Sequence, residues 1–155
     1  MKSRIAGVAA CLLLAGGLVA ASQVSTAGAG TTLDLRLKER LCGADGAHCK
    51  LLNHNPRGSF GDSFIFSLPL LNRDDGERAG RDEGECVTLH KRSDSYYCSF
   101  VAHLGGSDLA VQGTFNLDFD TKSVAPITGG TGIYEGASGY WQQTGQKVVV
   151  HVSTP

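Results

Sequence analysis

Apolar residues fall on alternate positions in one segment of this chain after another. Leu33, Leu35 and Leu37 alternate with Asp34, Arg36 and Lys38, and Phe60, Phe64, Phe66, Leu68 and Leu70 share one parity. Leu109, Val111, Phe115, Leu117 and Phe119 alternate with mostly polar neighbours, and Val148, Val150 and Val152 close the chain. A strand turns successive side chains to opposite faces, so a period of two marks strands with one face in a core. Beyond the N-terminal leader, no segment keeps a helical period over three turns. The expected fold class is therefore all-β.

Strands are expected near 32–40, 60–72, 84–91, 95–104, 108–119, 123–128, 138–144 and 147–153, eight in all. Turn-forming runs such as Asp74-Asp75-Gly76 and Gly105-Gly106-Ser107-Asp108 separate them. Short connections favour an up-and-down meander, and closure into a barrel removes exposed edges. The expectation is an eight-stranded antiparallel up-and-down β-barrel, with a two-sheet sandwich as the alternative. Eight strands enclose an interior that side chains can fill or that can hold one small ligand.

The N-terminus sets Met1-Lys2-Ser3-Arg4 before an uncharged apolar run, Ile5–Ala21. A basic start, an apolar stretch and small residues at Val19-Ala20-Ala21 or Ala27-Gly28-Ala29 have the pattern of a secretory signal peptide. A membrane anchor and a lipoprotein signal ending at Cys11 are the alternatives, and the Gly/Ala content favours cleavage. The division expected is a signal peptide and leader over 1–29 and one barrel domain over 30–155, giving a secreted protein with no membrane association after cleavage. Two of the 14 basic residues, Lys2 and Arg4, fall in the leader, which leaves 12 against 15 acidic ones. No basic run remains to release counterions from phosphates, so nucleic acid is excluded as a partner class.

Four cysteines follow the leader: Cys42, Cys49, Cys86 and Cys98. An even number in an exported domain reads as two disulfides. Local sequence favours Cys42–Cys49 and Cys86–Cys98, because a turn centred near Arg92 sets Cys86 opposite Cys98 on adjacent strands. A metal site from Cys42, His48, Cys49 and His54 is the competing reading for the first pair. It fits no standard zinc spacing, and neither a metal nor a cofactor is expected. The signatures H-E-x-x-H, C-x-x-C and G-x-S-x-G do not occur.

Between two strand-like segments lies Ile127–Tyr140, I-T-G-G-T-G-I-Y-E-G-A-S-G-Y, with glycines at Gly129, Gly130, Gly132, Gly136 and Gly139. A dinucleotide-binding turn needs a following helix and a further strand, and its G-x-G-x-x-G spacing is not met. The structural reading is that these glycines allow positive φ and close backbone approach where a strand leaves the barrel and re-enters.

The same run resembles the allene oxide cyclase and dirigent group. Thr128–Gly136 is similar to a cyclase Thr-Gly-Gly-Ser-Gly-Ile-Phe-Glu-Gly run, with Thr131 and Tyr134 as the variants. Gly129–Gly132 with Ala137-Ser138-Gly139-Tyr140 resembles dirigent sequences. Gly84-Glu85-Cys86-Val87, Gly80-Arg81-x-x-Gly84, Gly61-Asp62 and Val111-Gln112-Gly113 add further likeness in the expected order. The resemblance implies an eight-stranded barrel with an apolar cavity, often trimeric, and a cyclase or isomerase type of activity. It also places Cys86 at the cavity wall. The cyclase Glu-x-Asn pair of the first strand falls on Arg36 and Lys38, a further cyclase Asn falls on Leu68, and the dirigent acidic pair falls on Ser67-Leu68. The catalytic residues of both groups are thus not retained.

Candidate cavity residues are Phe64, Phe66, Leu68, Thr88, Tyr96, Phe100, Phe115 and Leu117, with Thr88 and Tyr96 the polar groups available to a ligand. Asp62 at a strand mouth is an acid or base candidate if buried, with a turn role as the alternative. The expected function is a cavity that binds a small apolar molecule and steers its cyclisation or coupling by confinement. The alternatives are a non-catalytic carrier and a structural barrel with a filled core.

Overall fold

The computed structural model describes residues 30–38, 49–53, 60–90, 95–116 and 120–155. Among the described residues nine strands follow one another: β1 (Thr31–Leu37), β2 (Cys49–Asn53), β3 (Ser63–Asn72), β4 (Arg78–His90), β5 (Ser95–Leu104), β6 (Ser107–Asn116), β7 (Lys122–Gly130), β8 (Ser138–Thr144) and β9 (Lys147–Ser153). All pairings are antiparallel, and β3 to β9 form a meander of nearest neighbours. β1 pairs with β9 along most of its length and also with β3, through Leu35↔Asn72 to Leu37↔Leu70. That double pairing closes the sheet into an eight-stranded barrel and leaves no sandwich. Among the described residues the one helical element is a single 3-10 turn, Gly132–Tyr134.

Nine strands make eight staves because β1 and β2 share one position. β2 joins the edge of β3 that β1 vacates, with Cys49 beside Phe66. Pro69 lies at this break. Its carbonyl accepts from the Lys38 N–H at 2.9 Å, but proline has no N–H to return the bond. The Lys38 carbonyl instead accepts from Gln146 Nε2 at 3.3 Å. A proline in the middle of a barrel strand is thus tolerated where the neighbouring stave is interrupted.

The inward parity of each strand builds the core. Leu68, Leu70, Cys86, Ala102, Leu109, Val111, Ala125, Trp141, Val148 and Val150 have no measurable exposure. Phe60, expected on the same inward face as Phe64, instead precedes β3 in a turn and is exposed. β4 begins at Arg78 rather than near 84, because Arg78–Glu83 pairs with β3 and β5 despite its polar sequence. β6 ends at Asn116, and Leu117 lies outside the described residues.

Cys86 and Cys98 pair directly across β4 and β5 and form a disulfide with a Cα–Cα distance of 4.1 Å. Cys49 is disulfide-bonded as well; Cys42, His48 and His54 lie outside the described residues, as does the expected signal segment 1–29. The Cys86–Cys98 bridge spans 12 residues of sequence. Chain entropy gives a loop of that size about 3 kcal/mol of stabilisation. Replacing both cysteines by alanine is expected to cost the fold about that much, read as a lower urea midpoint, with a steeper slope because the unfolded chain is no longer held compact. An unchanged midpoint would show that strand pairing alone sets the geometry here.

Candidate functional site

The glycine-rich segment joins β7 to β8 at the end of the barrel where β5 also turns into β6. There Gly132 has φ 60° and Gly139 φ 135°, values open to glycine but strained for other residues. A Cβ at Gly130 would lie 2.7 Å from the Asp108 carbonyl oxygen, so its lack of a side chain permits the close approach of β6. Gly129 departs from the expected role of this run: its φ is not positive and a Cβ there would meet nothing within 4 Å.

Inside, aromatic rings form a connected chain. Tyr96 stacks edge-on to Phe64 at 5.6 Å, Phe64 meets Phe66 at 6.5 Å, and Phe66 meets Phe100 at 6.0 Å. Phe100 is the hub, with Phe115 at 5.6 Å and Trp141 at 5.1 Å. The Trp141 indole N–H donates to Gln143 Oε1 at 3.4 Å, and Gln143 Nε2 donates to the Gly145 carbonyl at 3.2 Å. Both ends of the Gln143 amide are therefore occupied.

Asp82 opens into this aromatic interior. In register it sits between Leu68 of β3 and Ala102 of β5, with glycines at 80 and 84 on either side along its own inward face. Asp82 is 3 % exposed, and its Oδ1 has no hydrogen-bond partner. Burial disfavours the charged form and pushes its carboxyl from 3.8 up to about 7; a hydrogen bond from its own backbone N–H works against the shift, and the neighbouring Glu83 charge adds to it. Glu83, one residue on, faces outward. The hydrogen bond from Ser67 Oγ at 2.8 Å is the main cause holding Glu83 below the ordinary carboxylate range, with Arg81 assisting. Two adjacent carboxyls are thus driven in opposite directions by the two faces of one strand.

The pocket at Asp82 is lined by Leu37, Phe66, Leu68, Cys86, Cys98, Phe100, Phe115 and Gln143. Its cavity volume is about 10 Å³, room for about one water molecule. Four of the sequence candidates, Phe66, Leu68, Phe100 and Phe115, come together here. Phe64, Thr88 and Tyr96 are interior or half-buried but do not line this pocket, and Leu117 is outside the described residues. The Asp62 carbonyl accepts from the Thr88 N–H at 2.8 Å, a backbone tie at the strand mouth.

Sequence reasoning missed Asp82. Its signal was present: counting back by twos from Cys86 through Gly84 reaches it. A larger outer hollow of about 210 Å³ lies along Thr32, Tyr140, His151 and Ser153. It is open and holds no buried ionisable group. Among the described residues no cluster of His, Cys, Asp and Glu is placed to hold a metal ion, and no helix is long and apolar enough to cross a membrane.

A closed eight-stranded meander barrel with one carboxyl buried among aromatic rings defines a class by its fold: small antiparallel all-β barrels. The family model for the allene oxide cyclase barrel-like domain matches residues 43–150, and the chain belongs to that family. Solved structures agree on the fold. A pyocyanin demethylase is 23% identical with a TM-score of 0.60, over 80% of this chain and 99% of its own. The pterocarpan synthase dirigent protein GePTS1 is 18% identical with a TM-score of 0.63, over 81% of this chain and 86% of its own. AbnU, an exo-specific intermolecular Diels-Alderase, is 15% identical with a TM-score of 0.55, over 81% and 98% respectively. No curated protein sequence matches the chain.

Proposed function

We propose that this chain is an exported barrel that takes a small apolar molecule into its interior beside Asp82 and steers its cyclisation or coupling. The observation that carries the reading is the Asp82 carboxyl: buried, lacking a partner for one oxygen, and facing aromatic walls. A structural core gains nothing from such a group, since burying an unpaired polar atom costs free energy. A carboxyl with a pKa of about 7 exchanges a proton readily near neutral pH, and the rings around it restrict a bound molecule to few conformers. The three fold relatives carry the names of proteins acting on small molecules, which supports the same class.

The second reading is a non-catalytic barrel with a filled core, and the small pocket volume favours it. For an organic ligand to enter, Phe66 or Phe100 must swing from its present packing. Native mass spectrometry of the secreted protein, with organic extraction of what co-purifies, separates the two. The expected result is a stoichiometric apolar molecule whose affinity or product distribution changes at least tenfold in Phe66→Ala and Phe100→Ala. An empty protein that also refuses a hydrophobic fluorescent probe, before and after those substitutions, would establish the filled barrel.

A further inference from the structure

We propose that the molecule held beside Asp82 carries a basic nitrogen, so that its ammonium N–H supplies the partner that Asp82 Oδ1 lacks. The inference rests on the interior ligand site proposed above and names the ligand's chemical class. It follows from what each wall of the pocket can offer. Strand β1 contributes Leu37, β3 Phe66 and Leu68, β5 Phe100, β6 Phe115 and β8 Gln143. None of these titrates, and the two cysteines are joined in the disulfide. The Gln143 amide, the one neutral donor on the wall, gives one of its two N–H groups to the Gly145 carbonyl, and being neutral it brings no counter-charge to Asp82. The nearest guanidinium in sequence, Arg81, is on the outer face, where it donates to Ser67 Oγ at 2.7 Å and to Glu83 at 3.3 Å.

Once ionised, Asp82 therefore has no counter-charge from the described residues that line its pocket. A neutral hydroxyl on a ligand would satisfy the oxygen and leave the charge uncompensated in an apolar surround. A protonated amine does both, through a charge-assisted hydrogen bond. The rings of Phe66, Phe100 and Phe115 favour the same group, because an aromatic face attracts a cation. The rest of such a ligand is apolar, as the leucine and phenylalanine walls require.

The test uses a matched pair of probes, 1-naphthylmethylamine and 1-naphthylmethanol, titrated calorimetrically into the full mature protein and into Asp82→Asn. At pH 8 the amine is expected to bind the wild type at least tenfold more tightly than the alcohol. Asp82→Asn is expected to abolish that preference while still binding the alcohol. At pH 5.5, where Asp82 is protonated, the wild-type preference is expected to shrink towards that of the variant. Equal binding of the two probes at pH 8, or a preference that survives in Asp82→Asn, would overturn the inference while leaving the interior site intact. Failure of both probes to bind the wild type and Phe66→Ala alike would overturn the ligand site itself, and the inference with it.

Discussion

Gly84→Ala is expected to destabilise the barrel by about 3 kcal/mol, at the upper end of what overpacking a core position costs. An added Cβ would overlap the Ser99 carbonyl oxygen and the Phe100 Cβ, and would lie 2.6 Å from the Phe100 Cα. Two of those three atoms are backbone, so rotating a side chain gives no relief. Residue 84 pairs with Phe100 in the β4–β5 ladder, so the missing side chain lets the hub of the aromatic chain lie across its neighbouring strand. Gly129→Ala is the control, since a Cβ there meets nothing within 4 Å. It is expected to change stability by less than about 0.5 kcal/mol, because the half-buried position has open space for the added methyl. Urea unfolding monitored by Trp141 fluorescence reads both. A Gly84→Ala midpoint equal to the wild type would mean that β4 and β5 can separate without loss, and that Asp82 is less firmly placed than its register implies.

The same glycine shows how much of the molecule was legible in the sequence. Period-two alternation was enough for the all-β class and most of the core, because burial of one face leaves a direct trace in residue order; barrel over sandwich was decided by the pairing of β1 with both β9 and β3. Leu35, Leu37, Val111, Val148 and Val150 are buried as their parity requires. The pattern failed where side chains do not carry the burial. Gly80-Arg81-Asp82-Glu83-Gly84 reads as a polar loop, since its inward positions hold two glycines and an acid. It is strand all the same: Gly80 and Gly84 pair with Leu104 and Phe100, and their lack of Cβ atoms brings β5 close. β2 escaped for another reason. Five residues, Cys49–Asn53, complete a stave that β1 had begun, and register of this kind between distant segments leaves no local periodicity. The aromatic wall was found from parity, whereas the buried acid it surrounds was not. An ionisable residue at an inward position breaks the pattern that reveals structure.

Asp82→Asn is expected to make the protein more stable than wild type at pH 8, and to leave the two nearly equal near pH 4. The folded-state carboxyl is raised to about 7 from an ordinary value of 3.8, so between those values the folded state holds a proton that the unfolded chain has released. Stability then falls as pH rises across this window: the contribution is fully present below about 4 and lost above about 7. A difference of roughly three pK units corresponds to about 4 kcal/mol, of which about 3 kcal/mol falls between pH 5 and pH 8. Glu83 acts in the opposite sense, because its folded-state pKa is lowered, but it is common to both proteins and cancels in the comparison. The measurement is therefore the gap between the two unfolding free energies at pH 5, 6, 7 and 8. A gap that widens with pH by about the stated amount identifies Asp82 as an ionisable group carried at a cost to the fold. Parallel curves would mean that the acid finds a partner or water on ionising, and that its isolation among the rings is not maintained in solution. If the gap does widen, a cationic ligand gains its largest advantage at the pH where the empty barrel is weakest. The fold would then be stabilised most by the molecule whose charge its own interior does not supply.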